Sequence, residues 1–152
     1  MDNFSQLYVM VVFGVKYRLG LIDARWSRQL YGVIGAKLKE LGSMPIAIGG
    51  VNDHVHILFS TLGHRSLSDI IREVKTASSH WINSNRLTVG KFGWQKGSGR
   101  FSYSKGEVDA VKNYILNQPK HHQSISFQQE MDRIMRRYGH NPTEYDLPES
   151  LE

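Results

Sequence analysis

From Leu7 to Phe13 the chain is apolar without interruption and rich in β-branched and aromatic residues. A strand with one wet face alternates polar and apolar side chains, so a run of this kind predicts a strand buried on both faces. The rest of the chain supplies what such a strand needs around it. From Arg25 to Leu41, Leu30, Ile34, Leu38 and Leu41 recur at the period of an amphipathic helix, which Gly42 stops. Pro45–Val51 and His54–Ser60 read as two strands joined by turn chemistry at Gly49, Gly50, Asn52 and Asp53. Ser66 or Ser68 can cap a second helix running to about Trp81, with Leu67, Ile70, Ile71, Val74, Ala77 and Trp81 as its buried stripe. Gly90–Ser104 mixes four glycines with Phe92, Trp94, Phe101 and Tyr103, the pattern of a strand region broken by bends. Helices follow over Gly106–Asn117, ended by Pro119, and over Phe127–Tyr138.

The order strand, helix, strand, strand, helix, strand is that of the α+β ferredoxin-like or RRM-like split βαββαβ fold, with an antiparallel sheet and two additional C-terminal helices. In that arrangement the first and third strands are central and helices cover one face. The other face is left for a ligand, a partner or the added helices. The expected organisation is a single domain over residues 1–140 and an acidic tail over 141–152.

The charge is unevenly spread. Nineteen Lys and Arg stand against fourteen Asp and Glu, but residues 141–152 hold Glu144, Asp146, Glu149 and Glu152 with no Lys or Arg, so residues 1–140 carry +9. An excess of that size attracts polyanions, nucleic acid above all. The absence of cysteine excludes disulfides, thiolate zinc sites, iron–sulfur clusters and a cysteine nucleophile. The apolar run near the start is far short of a membrane span, and Met1-Asp2 lacks a basic n-region, so a soluble, cytoplasmic protein is expected, held to the nucleoid when bound to DNA.

On the third strand, alternation sends Val55, Ile57 and Phe59 to one face and His54, His56 and Leu58 to the other. The apolar triplet belongs under the helices, which puts both imidazoles on the remaining face. Two residues apart on a strand, their Cα atoms are about 7 Å apart, so the rings can tilt inward onto one metal ion at about 2.1 Å each. Taken alone, His-x-His is more often a pair of solvent-facing strand residues. Tyr114 and Gln118 stand at i and i+4 on the helix after the glycine-rich segment, where they can address one point in space. There Val108, Val111 and Ile115 form the core stripe with Tyr114 on its flank, a place where tyrosine commonly serves only to pack. Pro119 disfavours helical conformation at Gln118.

Together the two elements describe a site. A divalent ion on His54, His56 and the Gln118 amide oxygen would polarise a phosphate as a Lewis acid, with Tyr114 as the nucleophile. Imidazole and amide ligands without thiolate suit Mg²⁺ or Mn²⁺. A phosphotyrosine bond conserves the phosphodiester energy, so rejoining needs no ATP, in keeping with the lack of a GxxxxGK[ST] loop.

These residues resemble a known family. His54-Val55-His56 after a Gly-Gly-x-x-Asp turn, Trp94-Gln95 followed by Gly97, Gly99, Phe101-Ser102 and Ser104, and Tyr114-Ile115-x-x-Gln118-x-x-His121-His122 are similar to the motifs of the small HUH transposases of the IS200/IS605 type. Lys16-Tyr17-Arg18 resembles that family's N-terminal motif, and Phe127-x-x-Glu130 with Tyr138-Gly139 and Glu144-Tyr145 its C-terminal one. Arg100 departs from the pattern, which has a small residue between Gly99 and Phe101. The resemblance implies a single-strand DNA transposase with His54, His56 and Gln118 as metal ligands. Tyr114 would be the nucleophile that forms a 5′-phosphotyrosine and leaves a 3′-hydroxyl. It also implies hairpin-forming DNA at insertion-sequence ends as the partner, and a homodimer in which the tyrosine helix can act in trans.

Lys91, Lys96, Arg100 and Lys105 interleave with Phe92, Trp94, Phe101 and Tyr103, which could pair phosphate contacts with base stacking. An amphipathic strand pair with solvated lysines reads the same way. Lys16 and Arg18 are further candidates for DNA contact. Two other functions fit the element order. One is a non-catalytic RRM-like RNA- or ssDNA-binding module, which stacks bases on strand aromatics where this chain has His54 and His56. The other is a water-using metal nuclease in which Tyr114 only packs.

Overall fold

The computed structural model describes residues 4–123 and 125–139. The acidic tail and the Glu144-Tyr145 part of the C-terminal motif lie outside the described residues. Four strands, β1 (Leu7–Gly14), β2 (Met44–Gly50), β3 (His54–Thr61) and β4 (Gly99–Tyr103), form one antiparallel sheet in the order β2-β3-β1-β4. The first and third strands are therefore central, as the split βαββαβ reading requires. Helices α1 (Ser27–Glu40) and α2 (Leu67–Ser84) cover one face. On the chain after β4 come α3 (Val108–Leu116), the single turn α4 (Gln118–His121) and α5 (Phe127–Arg137), which cover the other.

The apolar continuity of β1 is explained by these two layers. Val9, Val11 and Phe13 pack under α1 and α2 with Val55, Ile57 and Phe59 of β3. Met10 and Val12 face the opposite way and pack with Leu58, Val111, Ile115, Phe127 and Met131. Pairing of Val12 with His56 and of Gly14 with His54 sets both imidazoles on this second face.

Three departures from the expected elements have local causes. The buried stripe of α2 ends on Ser78 and Ile82, with Ala77 and Trp81 only half-buried. A serine can occupy the core there because its hydroxyl donates to the Val74 carbonyl at 2.7 Å and accepts from Trp94 Nε1 at 2.9 Å. The second departure concerns the glycine-rich region, where only Gly99–Tyr103 is strand. Phe92 is 1 % exposed and Trp94 packs edge-on against Phe13, so these two aromatics belong to the core and are not platforms for bases. Lys75 of α2 holds this segment by donating to the carbonyls of Gln95 (2.9 Å) and Gly97 (2.7 Å). Burial, then the nearby Arg100 charge, lowers the Lys75 pKa to about 8. The third lies at Asn117, where the tyrosine helix stops and α4 begins at once with Gln118-Pro119. A proline in a first turn forfeits no hydrogen bond, so Gln118 is helical after all.

Candidate active site

β3 brings His54 and His56 to the sheet centre, and both are fully buried beneath the C-terminal helices. The His54 ring stacks on Phe127 with centroids 4.2 Å apart, and its Nδ1 lies 2.7 Å from Asp53 Oδ1. With Nδ1–H donated to that carboxylate, Nε2 is turned into the site. His56 Nε2 points to the same place, while its buried Nδ1 has no hydrogen-bond partner. From the other side α3 supplies Tyr114, α4 supplies the buried Gln118, and the following turn supplies His122.

All of these meet at Glu130 of α5, which is 1 % exposed. Oε1 of Glu130 lies 3.1 Å from His54 Nε2, 3.1 Å from His56 Nε2 and 2.9 Å from His122 Nε2. Oε2 accepts from Gln118 Nε2 at 2.7 Å and from the Tyr114 hydroxyl. The Gln118 carbonyl oxygen is in turn 3.1 Å from His54 Nε2. His121 Nε2 is 3.7 Å from Oε2, and its ring centroid is 5.4 Å from that of Tyr114.

Opposed forces set the charges. Burial disfavours ionised Glu130, but hydrogen bonds from His122, His54 and His56 outweigh it and hold the carboxyl well below its usual range. Burial likewise opposes charge on His54, yet Asp53 and then Glu130 raise it to about 9. His56 is held below 6.5, by burial first, and Tyr114 is pushed up by burial and by its bond to Glu130. The resting site thus contains an ionised carboxylate and a neutral phenol.

His54, His122 and Glu130 each offer a ligand atom within 4.8 Å of the others. Convergent imidazole nitrogens, one of them oriented from behind by Asp53, with a carboxylate and an amide oxygen, make a donor set that fits a divalent cation. His54, His56 and Gln118 are brought together with Tyr114, as the sequence pattern expects. Glu130 and His122 were not among the expected ligands. The signal for Glu130 was a carboxylate on the buried stripe of a helix, in line with Phe127, Met131 and Met135, where the period asks for hydrocarbon.

The basic residues singled out in the sequence do not gather here. Lys16-Tyr17-Arg18 forms a strained turn with Tyr17 at φ 58° and Arg18 at φ 53°, and Arg18 Nη1 donates to Gln128 Oε1 of α5 at 3.3 Å. Arg100 bonds Ser98, just before β4, and Ser68 at the start of α2, on the opposite side of the sheet from the histidines. Lys91, Lys96 and Lys105 are exposed. With α3 to α5 over most of the second face, His54 and His56 are fully buried and give no open platform at the centre of the sheet for the base stacking of an RRM-like module.

Residues 3–118 match the family described as "Transposase IS200 like". The chain belongs to the IS200-like transposases. Among solved structures, a candidate transposase from Deinococcus radiodurans R1 is similar with a TM-score of 0.63 and 20 % identity, over 78 % of this chain and 95 % of that one. A REP-associated tyrosine transposase, solved bound to a REP hairpin, is similar with a TM-score of 0.61 and 14 % identity, over 82 % of this chain and 74 % of that one. No curated protein matches the sequence. The fold is thus that of a transposase, and among the described residues no helix is long and apolar enough to cross a membrane.

Proposed function

We propose that this IS200-like transposase cuts and rejoins single-stranded DNA through a 5′-phosphotyrosine on Tyr114, at hairpins marking insertion-sequence ends. The observation that carries the reading is that the Tyr114 hydroxyl and the Nε2 atoms of His54, His56 and His122 contact one buried carboxylate. A tyrosine serving only to pack has no need of that company. His54, His56 and Gln118, with Glu130 and His122 beside them, would hold Mg²⁺ or Mn²⁺. Bound there, the ion supplies Lewis acidity toward the phosphate oxygens.

The protein's own part follows from the geometry. Tyr114 Oη forms the bond to phosphorus while the phosphorus–O3′ bond breaks, and the electron pair leaves with O3′. The phenol is neutral at rest, so its proton departs as the new bond forms. Glu130 Oε2 holds the hydroxyl in place, but a carboxyl held so far below its usual range is a weak base, so the proton passes on to solvent. One proton lost by the phenol and one gained by the departing 3′-oxygen balance the step. Reversal with a different 3′-hydroxyl rejoins the strand, and that exchange suits a homodimer in which two tyrosine helices work on two ends, each in cis or in trans.

The test is covalent capture. Wild-type protein, incubated with a pool of labelled single-stranded oligonucleotides and Mn²⁺, should give an adduct on a denaturing gel. Tyr114→Phe should give none while binding DNA as well as wild type. Cleavage by that variant at the wild-type rate would favour water as nucleophile and reject this mechanism. EDTA should stop cleavage and spare binding, and cleavage that survives EDTA removes the ion from the scheme.

A further inference from the structure

Between α3 and α5 lies a cleft of about 320 Å³ that opens beside Tyr114 and runs outward along both helices. Met10 of the central strand β1 and Tyr103 of the edge strand β4 form its floor, Val111 and Ile134 its apolar sides, and Tyr114 with Glu130 its inner end. Arg133 and Arg137 stand one turn apart on the α5 rim, both exposed. The cleft also holds two carboxylates, and both are engaged. Glu130 is bound by the histidines and Gln118, and Glu107 accepts from the Ser104 amide at 3.0 Å and from its hydroxyl at 2.9 Å. Among the described residues neither arginine comes within salt-bridge distance of a carboxylate, although the Arg137 charge acts on Glu107. An apolar floor with a tyrosine ring, a rim of guanidinium groups and carboxylates already hydrogen-bonded within the protein is the chemistry that holds one nucleotide of a single strand, base inward and phosphates outward.

Direction follows from the reaction. In an in-line displacement the attacking and leaving oxygens lie on opposite sides of phosphorus. The leaving 3′-oxygen and its strand therefore depart away from Tyr114, and the side of the site occupied by Tyr114 is open to the nucleotide that keeps the phosphate. We propose that the α3–α5 cleft is the subsite for the nucleotide on the 3′ side of the scissile phosphate, with its base over Tyr103 and the following backbone phosphates against Arg133 and Arg137. The assignment of a side rests on Tyr114 being the nucleophile.

Two hexathymidylates separate this proposal from its competitors. The 5′-phosphorylated one, labelled at its 3′ end, presents the retained side. The 3′-phosphorylated one, labelled at its 5′ end, presents the leaving side. Fluorescence anisotropy with the full chain, at several salt concentrations, should show that Arg133→Gln and Arg137→Gln each weaken the 5′-phosphorylated oligonucleotide several-fold and flatten its salt slope by about 0.7. The 3′-phosphorylated one should be nearly unaffected. Arg28→Gln removes the same charge from an exposed position on α1, across the sheet, and should change neither. Losses no larger than those of Arg28→Gln, or equal losses on both oligonucleotides, overturn the subsite. So does a change in oligomeric mass without a change in DNA affinity, which would make the cleft a contact between copies of this chain. The two readings fail separately. A wild-type adduct with full-affinity arginine variants rejects the subsite alone, whereas arginine-dependent binding without any adduct rejects the tyrosine mechanism and with it the assigned side.

Discussion

Glu130 occupies a helix position that would ordinarily be hydrocarbon, and five polar groups converge on it. A buried carboxylate is tolerated only when its bonds are made, so its neighbours tie stability to pH. Its own depressed pKa gives stability that is present above the unfolded value of 4.5 and lost as pH falls through the folded one. His56, held below 6.5, adds to the loss on the acid side because the unfolded chain takes up a proton that the folded one refuses. His54 works the other way. Its contribution is complete below 6.5 and disappears as pH rises to about 9. The metal-free protein should therefore resist urea best near pH 6.5, with midpoints falling on both sides. Glu130→Gln should lower the midpoint at pH 6.5 by an equivalent of about 2 kcal/mol and weaken the alkaline fall, because His54 then keeps only Asp53 as a charged partner. An unchanged alkaline limb in that variant would mean that Glu130 does not hold the proton on His54.

Among the elements, the position of α3 depends on a glycine. A Cβ built on Gly49 of β2 would stand 2.8 Å from the Ile115 carbonyl oxygen and 3.1 Å from Ile115 Cγ2. The helix can lie this close to the strand only because that side chain is missing, and Tyr114 is the residue before Ile115. Gly49→Ala should push α3 outward, at a cost of about 1–3 kcal/mol. Adduct formation should then fall more than tenfold under conditions where circular dichroism still reports a folded chain, since a displacement of about 1 Å at reacting atoms costs about two orders of magnitude. Retention of full capture would show that the tyrosine helix is positioned from elsewhere. The break at Asn117 matters in the same way. Tyr114 and Gln118 were expected on one continuous helix face, yet they reach Glu130 from two helices joined at that residue.

At the level of the whole molecule, a two-faced sheet separates support from chemistry. The face under α1 and α2 is a hydrocarbon core, whereas the other combines Met10, Val12, Leu58 and Ile115 with the buried polar cluster. A cation bound by residues from β3, α4 and α5 links parts distant in sequence, so it should stabilise the folded state by mass action. At 100 times its dissociation constant Mn²⁺ should contribute about 2.7 kcal/mol, which for a chain of this size raises Tm by roughly 5–10 °C. EDTA should return the curve to its starting point. His54→Ala should show no shift with Mn²⁺, and a full shift in that variant would place the ion elsewhere on the protein.

The unbroken run in β1, the alternation in β3 and the helical periods determined the sheet order and which face His54 and His56 occupy, because those patterns are local consequences of strand and helix geometry. The sequence also paired Tyr114 with Gln118, but the break at Asn117, and not an i, i+4 helix face, is what brings them to one site. Glu130 was visible as part of a C-terminal motif and as an acid on an apolar stripe, but nothing in a helical period says what a lone buried acid will meet. The match of its carboxylate to imidazoles 74 and 76 residues away was decided by packing of α5 across the sheet. Phe92 and Trp94 show the same limit from the other side. Among lysines they read as a surface for bases, and only the third dimension, in which a loop folds over Phe13 and Ser78, drew them into the core.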